Sequence, residues 1–204
     1  MLVVVASAWV CLAIAIVLAP ERVREVCAKE GACELVSHLV LAIAALGWIA
    51  AAMRARADVR PWALALVAGA CVVVLGEELD WGGVLGLRGV ADPLEGAFGA
   101  ANVHNAAQGH SYLLFALAAP LLAAVALGRG AWARGWRARL GPWSPCASDG
   151  AAALLVIAVA LATALVQPDW DSEVDEVAEL LGYSVIAAIA LRGHASGLSS
   201  STQS

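Results

Sequence analysis

The chain has 204 residues and a formal net charge of −5 at pH 7. Hydrophobic residues make up 62% of it, charged residues make up 14%, and the mean hydropathy is +0.81. Soluble domains average roughly 45–50% apolar and about 25% charged residues, so this chain has too little polar surface for a water-soluble globule. Five cysteines, an odd number, argue against a secreted disulfide framework. The acidic balance excludes a basic nucleic-acid-binding protein, which leaves a protein of the lipid bilayer.

Six apolar stretches approach the roughly 17–25 residues that a helix needs to cross a bilayer core of about 30 Å. Because a helix satisfies its own backbone hydrogen bonds in lipid, we predict an all-α bundle of six transmembrane helices within residues 1–192. The predicted spans are Leu2–Ala19, Leu35–Met53, Pro61–Leu79, Ser111–Leu127, Ala151–Gln167 and Val177–Leu191. The Ser-rich segment 193–204 is predicted to be a disordered polar tail.

The basic residues predict the orientation of this bundle. Eight of the twelve Lys and Arg residues lie in the loops after the second and fourth spans or just after the sixth. The positive-inside rule places those loops, and therefore both termini, in the cytoplasm. Fifteen of the seventeen Asp and Glu residues fall on the opposite side. The pattern predicts a multi-pass protein of the cell membrane with an acidic outer side.

Unusual polar residues gather on that outer side. Glu34 and His38 are four positions apart at the start of the second span, so they share a helix face. Glu77 and Glu78 end the third span at the edge of the hydrocarbon, where ionisable groups are costly and normally mark ion paths or ligand sites. Further polar groups precede the fourth span and open the sixth. These are Asn102, His104, Asn105, Glu176 and Glu179.

Two kinds of chemistry suit these side chains. Carboxylates together with imidazole are ligands for zinc, iron or manganese, and we predict a divalent metal held by Glu34, Glu77 and His104. A metal-bound water would act as nucleophile, with Glu78 as the general base. Without a metal, clustered carboxylates would share protons, as in a proton-coupled carrier. The supporting residues would be His38, Asp80, Trp81, Asn102, Asn105, Glu176 and Glu179.

Three function classes stay open. The first is a metal-dependent hydrolase or transferase acting on a lipid-like or envelope substrate, and the second is a proton- or cation-coupled carrier or binding protein. The third is a non-catalytic assembly subunit whose polar network fixes helix packing. The sequence has no P-loop and no dinucleotide fingerprint, so no nucleotide cofactor is expected. Protein partners and oligomeric state stay open, as does the pairing of Cys27 with Cys33 in an oxidising compartment.

Two short motifs resemble those of a known group of proteins. The segment Glu77-Glu78-Leu79-Asp80-Trp81-Gly82-Gly83 is similar to Glu-Glu-x-Ser-Trp-Gly-Gln, and Asn102-Val103-His104-Asn105 is similar to Asn-Leu-His-Asn. This motif pair is found in a group of uncharacterised bacterial integral membrane proteins. The resemblance implies a shared membrane fold and a site formed by the two motifs, but it implies no reaction. Asp80 and Gly83 stand where that group has Ser and Gln.

Overall fold

The computed structural model describes residues 1–28, 31–55, 59–83, 86, 88–98, 120–128 and 130–201. Every regular element in these ranges is helical, which confirms the predicted all-α class for the part described. The helices are α1 (Leu2–Leu18), α2 (Pro20–Cys27), α3 (Ala32–Arg54), α4 (Pro61–Glu78), α5 (Arg88–Phe98), α6 (Ala131–Leu140), α7 (Ala147–Val166) and α8 (Asp171–Ser201). Residues 120–127 are helical too.

The local sequence explains where several helices begin. Pro20 and Pro61 stand in the first turns of α2 and α4, where the missing amide hydrogen has no intrahelical partner to lose. Helix α7 begins with a capping box, in which the Asp149 carboxylate accepts a hydrogen bond from the Cys146 amide at 2.8 Å. These starts set the chain reversals that bring successive helices side by side.

Three described helices, α3, α4 and α7, are long and apolar enough to cross a membrane. Helix α1 is apolar but has 17 residues, and α8 has 31 residues and opens with several acids. The described helical segments overlap all six predicted spans, the fourth only at residues 120–127, because residues 111–119 lie outside the described part of the chain. Length and composition therefore support a membrane protein, with three helices that qualify as spans.

Helices α3 and α8 form the most extensive helix pair of the bundle. Helix α3 also packs against α4, and α7 packs against both α8 and α1. Leu41 of α3, Leu64 of α4 and Ile189 of α8 are buried in one shared core. A Cβ atom built on Gly47 of α3 would lie 3.0 Å from the Ala190 Cβ of α8, so the small residues let these two helices approach closely.

Large apolar side chains also cover the outside of the described helices. Leu18, Met53 and Leu165 have 77%, 83% and 84% of their surface exposed. An exposed apolar surface of this kind is unfavourable in water, and helices that are apolar all round belong in a membrane or in the core of a large protein. The arrangement therefore agrees with helices that face lipid.

Helix α8 continues past the boundary predicted for the polar tail. His194 Nε2 lies 2.9 Å from the Gly47 carbonyl oxygen of α3, and the His194 ring packs edge-on against Trp143 with centroids 5.6 Å apart. The boundary predicted at residue 193 thus falls inside a helix that ends at Ser201. The Ser-rich composition of this segment gave no sign of these partners, because they come from distant parts of the chain.

The bundle has two chemically different ends. The ion-pair end carries Asp149 of α7 and Arg192 of α8. Asp149 is completely buried, and Arg192 donates hydrogen bonds from both terminal nitrogens to its two carboxylate oxygens. The acidic end, where α3 and α8 begin and α4 ends, carries the residues of the candidate site.

Candidate functional site

The chain turns sharply where α4 ends. Asp80 and Trp81 adopt the left-handed backbone conformation, with φ of 46° and 51°. This conformation is tolerated by Asp but is rare for a bulky residue such as Trp, and it costs of order 1–3 kcal/mol. It folds the Trp81 indole back over Gly76, where an added Cβ would lie 2.7 Å from the ring. Trp81 Nε1 donates a 2.7 Å hydrogen bond to Glu77 Oε1.

This turn gives the two adjacent glutamates different surroundings. Consecutive helix positions point about 100° apart. Glu77 faces the indole of Trp81, whereas Glu78 faces α3 and α8. The Tyr183 hydroxyl of α8 donates a 2.8 Å hydrogen bond to Glu78 Oε1. Glu78 is therefore the member of the pair that joins three helices.

His38 of α3 lies between two carboxylates. Its Nε2 atom is 3.8 Å from Glu34 Oε1, one turn earlier on the same helix, and 3.8 Å from Glu78 Oε2 on α4. The side chains of His38, Glu34 and Glu78 are 12%, 16% and 17% exposed. Both distances are short enough for an ion pair but longer than a hydrogen bond. The buried Nε2 atom forms no hydrogen bond with the described residues.

Helix α8 adds three more carboxylates beside this group. Glu179 is partly buried, and four neighbouring carboxylates act on it, each opposing a negative charge there. These neighbours are Glu78, Glu176, Asp175 and Glu34. We use the name acidic cluster for the whole set of seven residues. Its members are Glu34, His38, Glu78, Asp175, Glu176, Glu179 and Tyr183.

Helix α2 covers the rim of this end. The Arg24 guanidinium lies over the Trp170 ring, 4.7 Å from its centroid, and its Nε atom is 3.9 Å from Glu173 Oε1. Cys27 of α2 and Cys33 of α3 are both buried next to Val23 in a small cluster of their own. Helix α2 is thus attached to the starts of α3 and α8, and Glu173 has a basic neighbour that lies outside the acidic cluster.

The structure assigns different surroundings to the residues predicted from sequence. It brings Glu34, His38, Glu78, Glu176 and Glu179 together, with α3, α4 and α8 each supplying part of the set. It directs Glu77 to Trp81 and places Asp80 in the turn. Asn102, His104 and Asn105 lie outside the described residues.

Sequence reasoning did not assign a role to Tyr183. The residue is buried, and its hydroxyl contacts Glu78 across 105 positions of sequence. The sequence did contain one indication that Tyr183 belongs to the site. Tyr183 stands four positions after Glu179 and therefore lies on the same face of α8. The partner on α4 could not be read from that spacing.

A metal centre stays a prediction. Within the ranges that the structure describes, no group of three His, Cys, Asp or Glu side chains is arranged to hold a metal ion. The predicted ligand set was Glu34, Glu77 and His104, and His104 lies outside those ranges. Of the other two, Glu77 accepts a hydrogen bond from the Trp81 indole, and Glu34 lies 3.8 Å from His38.

No protein-family model, curated protein or solved structure matches this chain. The similarity of its two motifs to the group of bacterial membrane proteins therefore stays a prediction from sequence. Because a fold by itself does not define an activity, function has to be argued from the site.

The chemistry available to the acidic cluster follows from its charges. It contains five carboxylates, one imidazole and one phenol, on helices that pack closely together. Like charges in a medium of low dielectric repel strongly, so such a set is stable only when protons or a cation offset part of the negative charge. The cluster is therefore suited to binding positive charge.

Proposed function

We propose that this chain is a multi-pass protein of the cell membrane that binds protons or a cation at its acidic cluster, as a carrier or binding protein does. In this proposal six helices cross the bilayer, both termini lie in the cytoplasm and the acidic end faces the opposite side. The three qualifying helices and the exposed apolar side chains support the membrane location. The basic loops support the orientation.

The position of His38 is the observation that carries this proposal. A neutral imidazole at 3.8 Å from Glu34 and Glu78 leaves both carboxylates without a compensating charge from it, whereas a protonated imidazole attracts both. A charge on His38 is therefore linked electrostatically to a carboxylate of α3 and to a carboxylate of α4. Buried groups with this kind of linkage are typical of proton relays and ion paths in membrane proteins.

Tyr183 extends this linkage to the third helix. Its hydroxyl donates to one oxygen of Glu78, while the other oxygen faces His38. A proton or cation that arrives at Glu78 therefore changes the interactions of α3, α4 and α8 together. A change of charge that acts on several helices is what couples binding to a conformational change in a carrier.

The metal-dependent hydrolase or transferase is the less supported candidate. It needs His104 as a ligand and Glu78 as a general base, and the described contacts of Glu78 are with His38 and Tyr183. Elemental analysis of the detergent-purified protein tests this candidate directly. Stoichiometric zinc, iron or manganese that is lost in Glu77→Ala would favour it over the carrier.

Thermal unfolding of the purified protein tests the carrier proposal. The melting temperature is measured with no added cation and then with Na⁺, Ca²⁺ or Zn²⁺ at constant ionic strength, and separately from alkaline to mildly acidic pH. A cation that binds the folded state raises the melting temperature, and so does protonation of crowded carboxylates. We expect at least one cation, or acidification, to stabilise the wild-type protein.

Two neighbouring glutamates provide the matched variants. Glu78→Gln removes a charge from the acidic cluster but keeps an oxygen that accepts from Tyr183, so we expect it to lose most of the stabilisation. Glu77→Gln removes a charge one position away, beside Trp81, and this variant should keep the stabilisation by cations or acid. Equal responses of wild type, Glu78→Gln and Glu77→Gln would contradict the proposal.

A further inference from the structure

A cavity of about 590 Å³ lies inside the bundle next to the acidic cluster. Side chains of α3, α4, α6, α7 and α8 line it, together with residues 121–125. Its volume falls within the range of about 300–1,000 Å³ that is typical of small-molecule sites. The cavity is therefore large enough for a ligand rather than for a few waters.

The polar lining of this cavity is confined to one end. Asp175, Glu179 and Tyr183 lie there, and all three belong to the acidic cluster. The remaining described lining is apolar and continues along α8 as far as Ile189, opposite Trp132 and Trp136 of α6. From Asp175 to Ile189 the cavity follows α8 for about 20 Å, at 1.5 Å per residue. It is long, apolar along most of its length and acidic at one end.

We propose that this cavity binds a single-chain amphiphile with a protonated amine headgroup. The amine would lie against Asp175 and Glu179, and the apolar chain would extend towards Trp132 and Ile189. This inference rests on the proposed function, because it identifies the cation of the acidic cluster as the head of a lipid-like molecule. The charge of the lining favours this occupant, since a carboxylate or phosphate headgroup would add negative charge to the cluster.

Gly182 offers a way to test the cavity without disturbing the cluster. It lines the cavity one position before Tyr183, and a Cβ built there meets no atom within 4 Å. The first atom of a larger side chain therefore has open space at this position, which makes leucine a suitable residue to occupy part of the cavity. Leucine is also a better helix former than glycine, by up to about 1 kcal/mol, so Gly182→Leu is expected to fold.

Binding of radiolabelled dodecylamine to the nanodisc-reconstituted protein, with empty nanodiscs subtracted, tests the inference. Dodecanol and dodecanoate serve as neutral and anionic analogues of the same chain length. We expect dodecylamine to bind at least about tenfold more tightly than either, which corresponds to roughly 1.4 kcal/mol. We expect Gly182→Leu and Glu179→Gln each to weaken binding by a similar factor, while Glu173→Gln, which removes one of the acidic partners of Arg24, leaves it unchanged.

Two results would overturn the inference. Equal binding of dodecylamine and dodecanol would show that the acidic end does not select the headgroup, and undiminished binding by Gly182→Leu would show that the cavity is not the site. The response of the melting temperature to cations and pH separates this failure from that of the proposed function. If that response depends on Glu78 but the amine does not bind, only the occupant of the cavity is wrong.

Discussion

The two ends of the bundle differ in what surrounds their buried carboxylates. At the ion-pair end, the buried carboxylate of Asp149 receives two hydrogen bonds from Arg192 and one from the Cys146 amide. At the acidic end, Glu34 and Glu78 share one imidazole at 3.8 Å, and four carboxylates oppose a charge on Glu179. Both ends join α8 to neighbouring helices, but the ion-pair end does so through one carboxylate and one arginine, whereas the acidic end gathers carboxylates around one imidazole.

This difference separates a structural role from a functional one. A buried carboxylate with an arginine and a backbone donor has its charge and its acceptor sites compensated inside the protein, so it needs nothing from outside. A crowded set of carboxylates is stabilised when it takes up protons or a cation. The ion-pair end is therefore expected to respond to mutation through stability, and the acidic end through ligand binding.

Replacing Asp149 should cause the largest loss of stability. Asp149→Ala leaves the Arg192 charge without its partner and also removes the α7 capping interaction, so we expect the free energy of unfolding to fall by about 3 kcal/mol. Unfolding of the detergent-solubilised protein by added SDS would measure this loss. Glu173→Ala, which breaks a 3.9 Å contact with the exposed Arg24, should cost less than about 1 kcal/mol. Similar losses in both variants would remove the contrast between the two ends.

Oxidation should create a covalent link at the acidic end. A hydrogen bond from the Cys33 thiol lowers the pKa of Cys27, which favours its thiolate, and the two residues close a short loop between α2 and α3. The oxidant diamide should remove one hydrogen from each thiol and form a disulfide that stabilises the fold by about 2 kcal/mol.

Peptide mapping under non-reducing conditions would detect this Cys27–Cys33 link, and SDS unfolding would measure its effect. Cys33→Ser should abolish both the link and the gain in stability. The exposed Cys11 serves as an internal control, because it has no thiol neighbour among the described residues and should remain alkylatable. A Cys27 that stays free after diamide treatment would contradict the adjacency of the two thiols.

A methyl group at Gly76 should disturb the turn after α4. In Gly76→Ala the new Cβ would lie 2.7 Å from the Trp81 ring, so the indole must move and its hydrogen bond to Glu77 must lengthen or break. We expect a loss of about 1–2 kcal/mol and a shift in tryptophan fluorescence. Gly69→Ala on the same helix meets no atom within 4 Å and should be neutral or stabilising. The prediction fails if the two alanine variants behave alike.

The smallest expected effect is a gain in the free energy of unfolding, in contrast to the losses expected for Asp149→Ala and Gly76→Ala. Glu179→Gln replaces a partly buried carboxyl group, whose charged form four neighbouring carboxylates oppose, with a permanently neutral amide. We therefore expect it to raise the free energy of unfolding by about 1 kcal/mol at neutral pH. The gain should disappear at acidic pH, where this carboxyl group is protonated in the folded and in the unfolded protein alike. Glu25→Gln, which removes an exposed partner of Arg22, should give no such gain. A loss of stability in Glu179→Gln at neutral pH would show that the cluster is already balanced.

The sequence predicted what depends on local spacing. The shared face of Glu34 and His38 appears as a 3.8 Å contact. These residues are four positions apart on α3, a separation that the helix repeat converts into proximity. The apolar stretches likewise predicted helices. Neither a protein core nor lipid offers water to the backbone N–H and C=O groups, and a helix pairs these groups with one another.

What the sequence did not predict depends on helix packing. Asp149 and Arg192 both lie on the side that the basic residues assign to the cytoplasm, but their separation of 43 positions gave no sign that they pair. Tyr183 and His194 likewise contact residues more than a hundred positions away. Such contacts depend on which helices are neighbours and on how each helix is rotated about its axis. A single sequence of mostly Ala, Leu and Val determines neither.

The bond between His194 and the Gly47 carbonyl has a mechanical consequence. Together with Arg192, it anchors α8 near the far end of α3 and at the start of α7. With this end of α8 held, a change of charge at Glu179, about 20 Å from His194 along the helix, is expected to tilt the acidic end of α8 against α3 and α4 rather than to shift the whole helix along its axis.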